Sequence, residues 1–260
     1  MSEPTVPTPT GDPIPVALHV RVWNPGAARR VLVLHGLGSD SGTCWQLAEA
    51  VAAAGATAVV PDLRNHGLSP TTSDLRVTAY AADVALLADA WDLVIGHSLG
   101  GSVLAELCAR PGFARRALLL DPVLLLHDED RQPLRDGLRT EVGGRLTTQQ
   151  LAQDQPNWSP EDIHRKVLGA ATVSPRTTDL TCDHNDPWDV RGFVADWACS
   201  VHLVVADPTV GALCWPEDVE AALTAHPGVT ASTIEGAGHS VHRDRPDVVA
   251  RLVNETLAGR

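Results

Sequence analysis

The stretch LVIGHSLGGSVLAELCAR, residues 93–110, decides how this chain is read. The apolar LVI predicts a strand, and SVLAELCAR has the composition of a helix. Between them Gly96, Ser98 and Gly100 form G-x-S-x-G. Glycine weakens strands and helices alike, so glycines on both sides of one serine point to a corner too tight for a Cβ. A serine on a sharp strand-to-helix turn has its hydroxyl pushed out above the sheet, and the next helix turns its N-terminus towards it. Ser98 is therefore the candidate nucleophile, and the N–H of Leu99 the candidate for half of an oxyanion hole. The competing reading is a phosphate-binding glycine turn, but GxGxxG and GxxxxGK[ST] are both missing from the sequence.

Outward from this corner, short β-type runs alternate with helix-like ones. VALHVRVW (16–23), RRVLVLHG (29–36), TAVVPDL (57–63), RRALLLDPV (115–123), SVHLVVAD (200–207) and GVTASTIE (228–235) read as strands. CWQLAEAVAAAG (44–55), RVTAYAADVALLADA (76–90), PEDVEAALTAH (216–226) and RPDVVARLVNETLAG (245–259) read as helices. Such alternation predicts an α/β fold, with a parallel sheet covered on both faces. Residues 127–199 break the rhythm. They carry no convincing strand and predict a small helical cap inserted after the sixth sheet strand. The core is then 16–126 and 200–260, preceded by a mobile Pro/Thr-rich tail over 1–15.

A serine hydroxyl needs a base to take its proton. In a sheet of this kind the partners follow the serine in the order Asp or Glu, then His. GAGHSVHRDRP (236–246) follows the last strand, where a loop reaches back over the sheet edge. His239, behind two glycines, is the expected base, and His242 is the neighbour that competes with it. The expected acid is Asp207 in VHLVVADPT, at a strand's carboxyl end; Asp121, in LLLDPV, is the second choice. The other oxyanion donor should come from the loop HGLG (35–38), which gives the N–H of Leu37. His35 is expected to hold that loop in place.

Composition sets the outer bounds. The chain has 260 residues, is 44% hydrophobic and carries a formal charge of -12. That acidity argues against nucleic acid as a partner. No apolar run approaches the roughly 20 residues of a membrane span. The five cysteines are scattered, with no CxxC pair, so no metal site and no disulfide framework is expected. The expectation is a reduced, cytoplasmic protein, a monomer or homodimer with a small-molecule substrate.

The ordered set VLVLHGLGSD, VVPDLRNHGLSP, LVIGHSLGG, HLVVADP and GAGHSVHRDRP resembles the α/β-hydrolase superfamily, in its serine-nucleophile branch. PDLRNHGLSP is similar to the D-x-R-N-H-G-x-S loop of a small esterase subgroup. The resemblance covers roughly residues 16–126 and 200–258. It implies eight mostly parallel strands and a hydrolase with no cofactor. Ser98 stands where epoxide hydrolases and haloalkane dehalogenases carry aspartate, which disfavours both. One departure concerns the acid: the family often shows G-x-x-D after the strand that here ends at Ala206, whereas this chain goes straight to Asp207 and Pro208. Arg64 and His66 are expected to brace the loop beside the oxyanion hole.

The implied reaction is cleavage of an ester, lactone or thioester through an acyl-enzyme. Trp45, Trp158 and Trp188 are the expected substrate-binding residues, favouring a small apolar or aromatic acyl group. Two alternatives keep the same site. One is a cofactor-free C–C bond hydrolase, perhydrolase or lyase; the other is a small-molecule receptor.

Overall fold

The structure is a computed structural model and describes residues 7–259. In chain order the elements are β1 (Val20–Trp23), β2 (Arg30–Leu34), α1 (Trp45–Ala53), β3 (Thr57–Pro61), α2 (Val77–Val84), β4 (Leu93–His97), α3 (Leu99–Cys108) and β5 (Arg116–Leu120). Then come α4 (Asp128–Glu141), α5 (Thr148–Asp154), α6 (Pro160–Ala171) and α7 (Pro175–His184). The chain closes with β6 (Ser200–Ala206), α8 (Pro216–Ala225), β7 (Val229–Ile234), α9 (Val241–Asp244) and α10 (Pro246–Ala258).

The strands form one sheet in the order β1-β3-β2-β4-β5-β6-β7, parallel except for β1 at one edge. The fold is that of an α/β hydrolase, with seven strands among the described residues where eight were expected. The start of the chain carries one short antiparallel strand, β1. Residues 16–19, read as part of that strand, lie outside it and are held by side chains and by one backbone bond, from Asp62 N–H to His19 O (2.9 Å). Val16 N–H donates to Asp83 Oδ1 (2.6 Å) and His19 N–H to Ser69 Oγ (2.9 Å).

Alternation along the strands divides the core. Leu32, Leu34, Val94, Leu119, Leu203 and Val205 face α2, α3 and α8, while Val31, Val33, Ile95, Leu118, Leu120 and Val204 face α1 and α10. Both faces are buried, which is why the central strands read as continuous apolar runs. The helix after β2 and the helix after β4 cover opposite faces of the sheet. The chain therefore parts between these neighbouring strands, at the switch point where open α/β sheets build their sites.

The tail is corrected in part. Residues 1–6 lie outside the described residues, but the segment that follows is tied down: Arg76 donates to Gly11 O (3.0 Å) and Arg64 to Ile14 O (3.2 Å). The helical insertion lies between β5 and β6. Its two ends are stitched together where they leave the sheet, Leu126 N–H donating to Trp188 O (2.9 Å) and Val190 N–H to Leu124 O (2.8 Å).

Candidate active site

Ser98 sits between β4 and α3 with φ 53° and ψ -118°, a conformation that L-residues rarely adopt. Close packing enforces it. A Cβ on Gly96 would lie 2.5 Å from Gly100 O, and one on Gly100 would lie 2.6 Å from Leu34 O. The serine is held at both ends: its N–H donates to Leu120 O (3.1 Å), and its carbonyl accepts the first helical bond, from Ser102 N (3.1 Å). Its side chain faces a cavity of about 870 Å³ that His239 also lines.

His239 lies in the link between β7 and α9. Its Nδ1–H donates to Asp121 Oδ2 at 2.6 Å, so Nε2 is the nitrogen left to take a proton. Asp121 directly follows β5, is fully buried and has φ 39°. Its carboxylate also accepts from the backbone N–H groups of Leu213 (2.9 Å), Ala206 (3.2 Å) and Cys214 (3.4 Å). A buried carboxylate that collects this many donors is satisfied and fixed in place.

The expectation that Asp207 orients the imidazole is corrected by this geometry. Asp207 turns away from the cavity, and its carboxylate accepts from Thr209 N (2.8 Å), Thr209 Oγ1 (2.7 Å) and Gly236 N (2.9 Å). The Gly236 N–H, then the two Thr209 donors, hold its carboxyl below the ordinary aspartate range. Its backbone N–H also donates to Ala237 O (2.8 Å). Asp207 thus ties down the loop that carries His239 without touching the ring. The second-choice aspartate is the imidazole's partner.

The competing histidine is accounted for as well. His242 is buried against His97, ring centroids 4.7 Å apart, and is not in the cavity wall. Burial, then the charge of Arg243, pushes its pKa well down. His97 donates from Nε2 to His239 O (2.9 Å), a further brace on the same loop.

Leu37 lies in the loop after β2 and lines the cavity, and Leu99 opens α3 directly after Ser98. Among the described residues neither backbone N–H finds a protein acceptor, as oxyanion donors require. The loop behind them is rigid. Leu63 N–H donates to His35 Nε2 (3.0 Å), which fixes His35 as the Nδ1–H tautomer donating to Gly36 O (2.8 Å). Arg64 makes a bidentate pair with Asp83, both contacts 2.6 Å, and burial pushes the pKa of His66 down to about 3. These residues brace the loop, as expected.

Of the three tryptophans expected at the substrate, two line the cavity. Trp158 donates to Asp244 Oδ1 (2.6 Å), and Trp188 donates to Ser102 Oγ (3.2 Å). Trp45 does not line it. Its indole donates to Asp162 Oδ1 (2.8 Å) under the guanidinium of Arg165, joining α1 to α6. The sequence reading missed Lys166 and Arg243, two buried cations in the cavity wall. Lys166 had one signal, as the single lysine in the chain. Arg243 had none, because nothing in the residues around it marks that arginine as buried.

Among the described residues no group of three His, Cys, Asp or Glu side chains could hold a metal ion. All five cysteines are buried and free. No described helix is long and apolar enough to cross a membrane.

Several known proteins are similar. Lipase LipV of Mycobacterium tuberculosis is 38% identical over 121 residues, 43% of this chain and 44% of that protein. Esterase YbfF of Escherichia coli is 27% identical over 212 residues, 75% of this chain and 80% of its own. Among solved structures, E-2-(acetamidomethylene)succinate hydrolase superposes with a TM-score of 0.79 at 20% identity, covering 93% of this chain and 95% of its own. The family model described as the alpha/beta hydrolase family matches residues 31–252. A match across nearly the whole sheet, joined to the strained serine at its switch point, makes this chain a member of the alpha/beta hydrolase family.

Proposed function

We propose that the protein is a carboxylic ester hydrolase acting through Ser98, His239 and Asp121. One observation carries the reading: an imidazole held at 2.6 Å by a buried carboxylate lines the same cavity as a serine in a strained turn. Such strain persists only where the surroundings over-determine it, and it clusters at functional positions. The relatives named lipase and esterase support the same reading.

In the reaction, His239 Nε2 takes the proton of Ser98 as Oγ attacks the ester carbonyl. The N–H groups of Leu37 and Leu99 receive the oxyanion. Asp121 keeps the ring in the Nδ1–H tautomer and stabilises the imidazolium that forms. His239 then protonates the leaving alcohol. Water, deprotonated by the same ring, releases the acid from the acyl-enzyme and restores the serine. Trp158 and Trp188 supply apolar surface against the acyl chain.

The test uses a fluorophosphonate probe and a series of p-nitrophenyl esters. The expected result is rapid covalent labelling of Ser98 and hydrolysis of the short esters, with Ser98→Ala abolishing both. Full ester hydrolysis by the Ser98→Ala protein would overturn the assignment.

A further inference from the structure

The reaction described above leaves one buried charge without a task. Arg243 lies in α9, four residues beyond His239, and is 4% exposed. It lines the cavity shared by Ser98 and His239. A guanidinium has five N–H donors in a rigid planar fork. Here Nη1 donates to Ser240 Oγ (3.1 Å), and Nε is buried with no partner. The ring of Trp158 lies against the guanidinium, its centroid 5.0 Å from the guanidinium carbon.

The carboxylates around it are committed elsewhere. Glu141 pairs with Lys166 (2.7 Å). Asp162 accepts from Trp45 and from Ser159 Oγ (2.6 Å). Asp244 accepts from Trp158 and from Gly238 N (2.8 Å). Burial works against the charged form of Arg243 first of all, and these neighbours offset it only in part. An arginine stays protonated under such conditions. What the site lacks is an acceptor that fits the fork.

We propose that Arg243 is an anion subsite, and that the ester this protein takes carries a second, free carboxylate that docks on the guanidinium. The inference rests on the ester-hydrolase reading. A planar monoanion matches the fork, which can hold it through paired hydrogen bonds. A dianionic phosphate is disfavoured because Asp130, Glu141, Asp154 and Asp244 share the cavity wall.

Two pairs of nearly isosteric esters test the idea by proton release: monoethyl glutarate against ethyl valerate, and O-butyrylglycolate against propyl butyrate. They place the carboxylate on the acyl side and on the alcohol side respectively. In one pair the charged ester is expected to have at least a tenfold higher kcat/KM, expressed in KM. Arg243→Gln should lower that ratio at least tenfold, and Arg243→Lys should restore part of it. Equal turnover within both pairs, with Ser98 still labelled by the fluorophosphonate, overturns the subsite and keeps the hydrolase.

A binding measurement needs neither turnover nor a variant. Glutaramate and N-butyrylglycine are amide counterparts of the two acidic esters, and valeramide is the neutral reference. By calorimetry on the unaltered protein, one of the acidic amides should bind at least tenfold tighter than valeramide. If neither does, the subsite is overturned. Such binding in a protein that cleaves no ester and takes no probe keeps the subsite and overturns the hydrolase.

Discussion

Two neighbouring strands end in the same dipeptide. β5 runs into LLLDPV and β6 into VVADPT, each an aspartate followed by proline at the carboxyl end of a buried parallel strand. Their fates differ. Asp121 is fully buried and receives the imidazole of His239, whereas Asp207 is in contact with solvent and closes a turn on Thr209. The cause is register. Leu120 pairs with Val204, so Asp121 stands level with Val205, and Asp207 lies two residues further along its strand. At about 3.3 Å per residue, that offset carries Asp207 some 6–7 Å beyond the level of Asp121. The aspartate further along is free to hydrogen-bond its own turn. The one set two residues back takes His239 from the returning loop.

Exchanging the two carboxylates for amides gives the largest expected effect. Asp121→Asn should lower kcat on a p-nitrophenyl ester by about 10⁴, because an amide can select the wrong imidazole tautomer. Asp207→Asn should stay within about threefold, since it touches only the loop. Equal losses in both variants would break the comparison.

Truncation measures the structural side. Asp121→Ala leaves the buried N–H groups of Ala206 and Cys214, and the half-buried one of Leu213, without their acceptor. Urea unfolding should show a loss of about 1–3 kcal/mol for each such group, and a much smaller loss for Asp207→Ala.

Acid sharpens the contrast between buried and exposed groups. His66 folds with its pKa near 3, below the unfolded value of 6.5, because burial favours the neutral ring. Between those values the unfolded chain binds more protons than the folded one. The stability is therefore full above pH 6.5 and falls as the pH drops towards 3, by about 1.4 kcal/mol per pH unit for this group. His66→Gln should flatten the slope by that amount in unfolding titrations. Asp207 has the same sign at lower pH. Its depressed carboxyl contributes above the ordinary aspartate range and loses that contribution as pH falls through its folded value. Being exposed, it should give the smallest change of all.

Features enforced by local sterics were legible in the sequence. Gly96 and Gly100 announce a corner whose tightness only a missing Cβ permits, and the apolar runs on either side announce the strand and helix that make it. His239 was legible because a loop after the last strand has few places to go. The length of the first strand was not legible, since VALHVRVW alternates as a strand would while its first half is held by Asp83 and Ser69. Trp45 shows the same limit. Its place after the oxyanion loop suggested the cavity, but α6 packs across it and takes its indole through Asp162.

By itself, then, the sequence determined a serine on a strained turn, the parallel α/β layers beneath it and the histidine that lines the same cavity. Each follows from interactions among residues close in the chain, or from the alternation of apolar runs. Tertiary structure alone decided which aspartate holds that histidine, which tryptophans reach the cavity, and that Arg243 lies buried in its wall. Those outcomes depend on strand register and on the docking of the helical insertion. Both are settled by packing between segments far apart in the chain, and a local reading of either segment does not contain them.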